Sequence, residues 1–77
     1  MTSLSTSEKI GIKISILRKK LKYSQDKLAE LSALSKNSIS SIERGESNPS
    51  IETLEKIAKA LNIELKELVD VSEINFL

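Results

Sequence analysis

Four serines, Ser7, Ser24, Ser35 and Ser50, each stand just before a run of residues whose apolar members recur at helical spacing. A serine hydroxyl at that place accepts from a backbone N–H two or three residues on, satisfying a donor that the start of a helix leaves unpaired. The pattern confines the chain to short helices. Behind Ser7, Ile10, Ile14, Leu17 and Leu21 fall at intervals of four, three and four residues, one face of a helix. The segment from Ile10 to Ile16 also alternates like a strand, but the longer pattern and the good helix formers after it decide for helix. Ile12 and Ile16 then lie on the opposite face.

Ser24 caps a second helix carrying Leu28, Ala29 and Leu31 and ending near Ser32, and Ser35 caps a third from Lys36 to about Arg44 that buries Ile39 and Ile42. Gly45 can end it at positive φ without steric cost. After a loop from Glu46 to Pro49, Ser50 caps a fourth helix whose core face is Ile51, Leu54, Ile57, Ala58 and Leu61. Asn62 can close that helix in the left-handed conformation. Leu65, Leu68 and Val69 mark a short fifth helix, and the tail from Val71 is mixed but ends on Ile74, Phe76 and Leu77. Five short helices with short connections suggest one compact all-α bundle spanning residues 1–77. A chain of 77 residues has room for a single core.

The chain has no cysteine and no histidine. Disulfides, thiolate or imidazole metal sites and a histidine general base are therefore absent, and none of its serines has a group that could activate it. Composition thus argues against an enzyme and calls for no cofactor or metal. Lack of cysteine fits a reducing cytoplasm. The polar start of the chain lacks a signal peptide's apolar core, and no run reaches the roughly 18 apolar residues of a membrane span.

The net charge of +1 hides an asymmetry. Residues 1–44 hold nine lysines and arginines against four acids, whereas residues 45–77 hold three lysines against seven acids. A basic half joined to an acidic half suggests a polyanion bound on one side.

Between the second and third helices there is room only for a tight corner at Ala33 and Leu34, the layout of a helix-turn-helix. Gly11, Ile14, Leu17 and Arg18, the Ser24-Gln25 and Leu28-Ala29 pairs, Leu34-Ser35, Ile39-Ser40, Ile42-Glu43, Gly45, Pro49-Ser50, Leu54, Ile57-Ala58 and Ala60-Leu61 closely resemble the Xre/Cro-repressor helix-turn-helix family. The resemblance runs over about residues 10–70. In size and layout it is most similar to the controller proteins of restriction–modification systems, with small Cro-type phage repressors next. It implies a lambda-repressor-like fold of five helices, with the third as recognition helix. Two departures are Ala33, where the family often has glycine in the turn, and Asn62 in place of a frequent glycine. A positive φ at Ala33 would cost about 1–2 kcal/mol.

With Ile39 and Ile42 inward, Lys36, Asn37, Ser38, Ser40 and Ser41 present the third helix to a base edge. Lysine can donate to guanine and asparagine can pair bidentately with adenine. The resemblance implies phosphate contacts at Ser24, Gln25, Arg44, Ser47 and Asn48, with Gln25 also bracing the recognition helix. It further implies an ion pair between Arg18 and Glu43, joining the first and third helices. Asp26 and Glu30, four apart on one helix face, match acids that in a phage repressor of this family touch the RNA polymerase sigma subunit. They form a candidate activation patch.

A single reading head of this size binds weakly, so a homodimer on two half-sites of double-stranded DNA is expected. The apolar residues left over for its interface are Ile63, Leu65, Leu68, Val71 and Ile74, with Phe76 and Leu77. The function that follows is a DNA-binding regulator acting on an operator, its own gene and linked restriction–modification genes being the targets. The alternatives are an antitoxin or adaptor of the same fold, or a Cro-like repressor. An adaptor would favour aromatic and aliphatic residues on the third helix, where this chain has lysine, asparagine and serine.

Overall fold

The computed structural model describes residues 3–74. Five helices follow one another: α1 (Thr6–Lys20), α2 (Gln25–Ser32), α3 (Lys36–Glu43), α4 (Ile51–Ala60) and α5 (Leu65–Val69). Ile14, Leu28, Ile39, Ile57 and Leu68, one from each helix, are fully buried and form the centre of the core. Ala29, Ile42, Leu54, Ala58 and Leu61 complete it, with Ile10, Leu17 and Leu34 packed against its rim.

The first cap differs from the expected one. Ser5, not Ser7, starts α1: its Oγ accepts from the Glu8 N–H at 3.1 Å. The Ser5 N–H donates in return to Glu8 Oε1 at 2.8 Å. Two donors satisfied reciprocally outweigh the single bond that Ser7 could accept. Ser7 lies inside the helix and donates to Asn48 Oδ1 at 3.3 Å. Ser24, Ser35 and Ser50 cap α2, α3 and α4 as their positions predict.

α1 to α4 all end in the same way. The left-handed residues are Lys22 (φ 61°), Ala33 (φ 59°), Gly45 (φ 73°) and Asn62 (φ 64°). In each, the residue that follows donates back across the turn: Tyr23 to Arg18, Leu34 to Ala29, Glu46 to Ser41 and Ile63 to Ala58, all at 2.9–3.0 Å. These paired bonds satisfy carbonyls that the helix end would otherwise leave open. At Lys22 and Ala33, residues with a Cβ carry the strain of that conformation.

Three residues read as core-facing lie outside it. Ile51 is 58% exposed because it is the first residue of α4 and turns away from the core. Leu21 and Leu31 are each 44% exposed, Leu21 being the cap residue of α1. Ile12 is half-buried and Ile16 is 43% exposed, so the second stripe of α1 is only partly covered among the described residues. Leu68, proposed for the dimer surface, has 0% exposure and is a core residue of the protomer; it offers no face to a partner. Phe76 and Leu77 lie outside the described residues. α1 meets the chain after α5 through Lys13, whose Nζ donates to the Asp70 carbonyl at 2.9 Å.

Candidate nucleic-acid interface

Gly11 determines how closely α1 can approach α3. A Cβ at that position would lie 2.3 Å from the Ile42 carbonyl oxygen and 2.7 Å from that of Glu43. Only a residue without a side chain lets the first helix rest on the end of α3. Gly45 is similarly confined, since a Cβ there would meet Glu8 Cγ at 2.6 Å.

A polar junction then fixes the angle of α3. Arg18 Nε donates to Glu43 Oε2 at 2.7 Å and Arg18 Nη2 to Glu43 Oε1 at 3.1 Å. Arg18 Nη1 donates to the Tyr23 carbonyl at 2.8 Å. Gln25 Nε2 donates to Glu43 Oε1 at 3.0 Å. One carboxylate therefore holds α1, α2 and α3 together, and the side chains of Arg18 and Glu43 are only 11% and 7% exposed. Hydrogen bonding to Glu43 raises the Arg18 pKa above its usual value, against the opposing effect of burial. The expected ion pair is thus present, and Gln25 is placed as a brace of α3.

With Ile39 and Ile42 buried, α3 turns Lys36 and Asn37 to solvent, and Ser38, Ser40 and Ser41 sit half-buried beside them. Ser35 Oγ accepts from the Ser38 N–H at 3.0 Å and also bonds the Ser38 hydroxyl at 3.0 Å. Ser24 Oγ accepts from the Lys27 N–H at 2.9 Å at the start of α2. Ser47 is half-buried and Asn48 exposed in the loop after α3. Of the residues read as base and phosphate contacts on α3 and in the loop after it, Lys36, Asn37, Arg44 and Asn48 are thus exposed.

The structure adds acids to this surface. Lys36 Nζ lies 3.9 Å from Asp26 Oδ2. Arg44 Nε is 3.0 Å from Glu46 Oε2, its Nη2 donates to Glu46 Oε1 at 3.0 Å, and its Nη1 donates to Ser40 Oγ. The Arg44 guanidinium holds the Glu46 carboxyl below its usual range, and Glu46 in turn raises Arg44. Glu30, the other acid of the α2 patch, lies 3.5 Å from Lys27 Nζ. Sequence reasoning missed the Arg44–Glu46 pair, because two residues on either side of the glycine that reverses the chain carry no periodicity that announces their meeting. Of the residues read as a dimer surface, Ile63, Leu65, Val71 and Ile74 are half-buried in the protomer. Among the described residues no group of acids has the arrangement of a metal site, and no helix is long and apolar enough to cross a membrane.

The same framework occurs in known proteins. The restriction–modification controller protein C.AhdI from Aeromonas hydrophila superposes with a TM-score of 0.79 at 39% identity, covering 80% of this chain and 94% of that one. SinR, the master regulator for biofilm formation, solved in complex with DNA, superposes with a TM-score of 0.75 at 42% identity, covering 79% of this chain and 98% of that one. The immunity repressor protein of Bacillus phage phi105 is 42% identical over 60 residues, 78% of this chain. The chain spans only 42% of that repressor's length. A family model described as helix-turn-helix matches residues 14–68, from the core of α1 to the buried leucine of α5, and the chain belongs to that family.

Proposed function

We propose that this protein is a sequence-specific binder of double-stranded DNA that regulates transcription as a homodimer. The observation that carries the reading is the exposed edge of α3. Lys36 and Asn37 project from a helix whose angle is fixed by Arg18, Gln25 and Glu43. A rigid helix with donors suited to base edges is what major-groove reading requires. Ser38, Ser40 and Ser41 allow close approach to the bases. On this reading Ser24, Gln25, Arg44, Ser47 and Asn48 meet the phosphates that flank the groove, and such contacts position the protein without reading sequence.

Two heads must sit about 34 Å apart to read successive turns of one DNA face. A protomer whose longest extent is 36 Å is small enough for two copies to present their heads at that spacing. Ile63, Leu65, Val71 and Ile74 supply the apolar surface for the pair. The likeness to a restriction–modification controller favours its own gene and linked restriction and modification genes as targets.

Activation through Asp26 and Glu30, by contact with the RNA polymerase sigma subunit, is the finer part of the reading. Both carboxylates are exposed, beside the surface that would face DNA. Footprinting on the DNA upstream of the protein's own gene tests the whole. Two protected half-sites on one face of the duplex are expected, and uniform coating would contradict the reading. With Asp26→Asn and Glu30→Gln combined, the footprint should persist while transcription from an activated promoter falls; unchanged transcription removes the patch from the mechanism.

A further inference from the structure

Each end of α3 carries a cation, and each cation has an acid beside it. At the start the contact is loose, Lys36 to Asp26 at 3.9 Å between two exposed side chains. At the end it is a fork. Arg44 meets both oxygens of Glu46 at 3.0 Å and bonds Ser40 Oγ with its remaining arm. A guanidinium presents the same parallel donors to a carboxylate as to a phosphate. Arg44 and Ser40 are among the residues read above as DNA contacts, and Glu46 lies against Arg44.

We propose that Glu46 is an intramolecular surrogate for a DNA phosphate, which occupies Arg44 and lowers the protein's affinity for any duplex. The inference rests on the DNA-binding reading and on Arg44 as a phosphate contact. To reach a phosphate, Arg44 gives up the Glu46 fork and leaves that carboxylate facing the DNA backbone. Both effects act regardless of sequence. Glu46 also cancels the counterion release that a lysine or arginine otherwise gains on meeting a phosphate. The mutual displacement of the Arg44 and Glu46 pKa values, upward and downward, agrees with this pairing in the free protein. The consequence is a higher protein concentration for occupancy of any duplex, set by one loop residue that need not touch DNA.

The test measures binding to a short random-sequence duplex between about 50 and 200 mM salt, the range over which phosphate contacts are most visible. Glu46→Gln keeps the size and removes the charge. It should tighten binding about fivefold near 0.1 M salt and steepen the salt dependence by about one counterion. Circular dichroism should show an unchanged fold, because the pair is exposed. The gain must shrink when Arg44→Ala is also present, leaving only the repulsion between the Glu46 carboxylate and the DNA backbone. Equal or weaker binding by Glu46→Gln overturns the inference while leaving DNA binding intact. So does a gain that persists undiminished without Arg44, which would be ordinary charge repulsion. Failure of the wild-type protein to bind duplex at low salt overturns the inference and the DNA-binding reading together.

Discussion

Arg18 and Glu43 face each other through two parallel hydrogen bonds, at 2.7 and 3.1 Å, in a site where neither side chain is more than 11% exposed. Residues 25 positions apart in sequence thereby lock α1 to the end of α3. The third arm of Arg18 takes the Tyr23 carbonyl and the carboxylate also accepts from Gln25, so no donor or acceptor can leave without stranding another.

Removing either partner strands a poorly hydrated charge. Glu43→Ala should destabilise the protein by about 3 kcal/mol, well above the roughly 1 kcal/mol at most of an exposed pair. Urea unfolding measures it. A loss below about 1 kcal/mol would mean that water reaches the junction freely and that the brace is not what fixes α3.

Gly11→Ala places a methyl group 2.3 Å from the Ile42 carbonyl oxygen, and backbone on both sides leaves no flexible side chain to yield. The expected cost is about 3 kcal/mol, at the upper end for overpacking. Because the contact sits at the end of α3, DNA affinity should fall even where the variant is fully folded. Thermal denaturation with a parallel binding titration checks both. A variant as stable as the wild type would mean that α1 does not rest on α3 at this distance.

Features set by bonds within a few residues are legible in a sequence, and those set by how the chain packs or reverses are not. The helix starts at Ser24, Ser35 and Ser50, and the left-handed ends at Gly45 and Asn62, depend on bonds within a few residues and could be read from local identity. The same locality misled at Ser7, since the cap depends on which serine lies three residues before Glu8. Lys22 gave no sign of its positive φ because its side chain is not one that favours it; the bonds closing the turn impose it. Periodicity placed Ile51 and Leu31 inward, but a residue in the first turn or at the margin of a short helix can point past its neighbours. The Arg18–Glu43 pair was legible through family resemblance, whereas Arg44–Glu46 depends on how the chain reverses at Gly45.

Burial also separates two leucines that sequence placed on one surface. Leu68→Lys should unfold the protomer, because its position has no exposure and a lysine charge cannot be hydrated there. Leu65→Lys should leave a folded protein and weaken self-association. Circular dichroism and sedimentation together decide. Folded Leu68→Lys would contradict its place in the core, and an unaltered association in Leu65→Lys would move the dimer surface elsewhere.

Glu46 should reveal Arg44 through its titration. Its folded-state pKa is depressed below the ordinary glutamate value, chiefly by the hydrogen bond from the Arg44 guanidinium. The pair's contribution is therefore complete above the unfolded value and is lost as pH falls through the lower folded one. NMR titration of the Glu46 carboxyl in Arg44→Ala should return it toward the ordinary glutamate value. An unmoved titration would show that the fork is not formed in solution.

The central claim is that the exposed edge of α3 reads base sequence. Selection of bound duplexes from a fully random pool tests it most directly. The wild-type protein should enrich one motif in two inverted halves, centred about ten base pairs apart. Asn37→Ala should relax the preference at the same place in each half, at a cost of about 1–3 kcal/mol there. A pool that remains random after selection, or a motif untouched by Asn37→Ala and Lys36→Ala alike, would contradict the account.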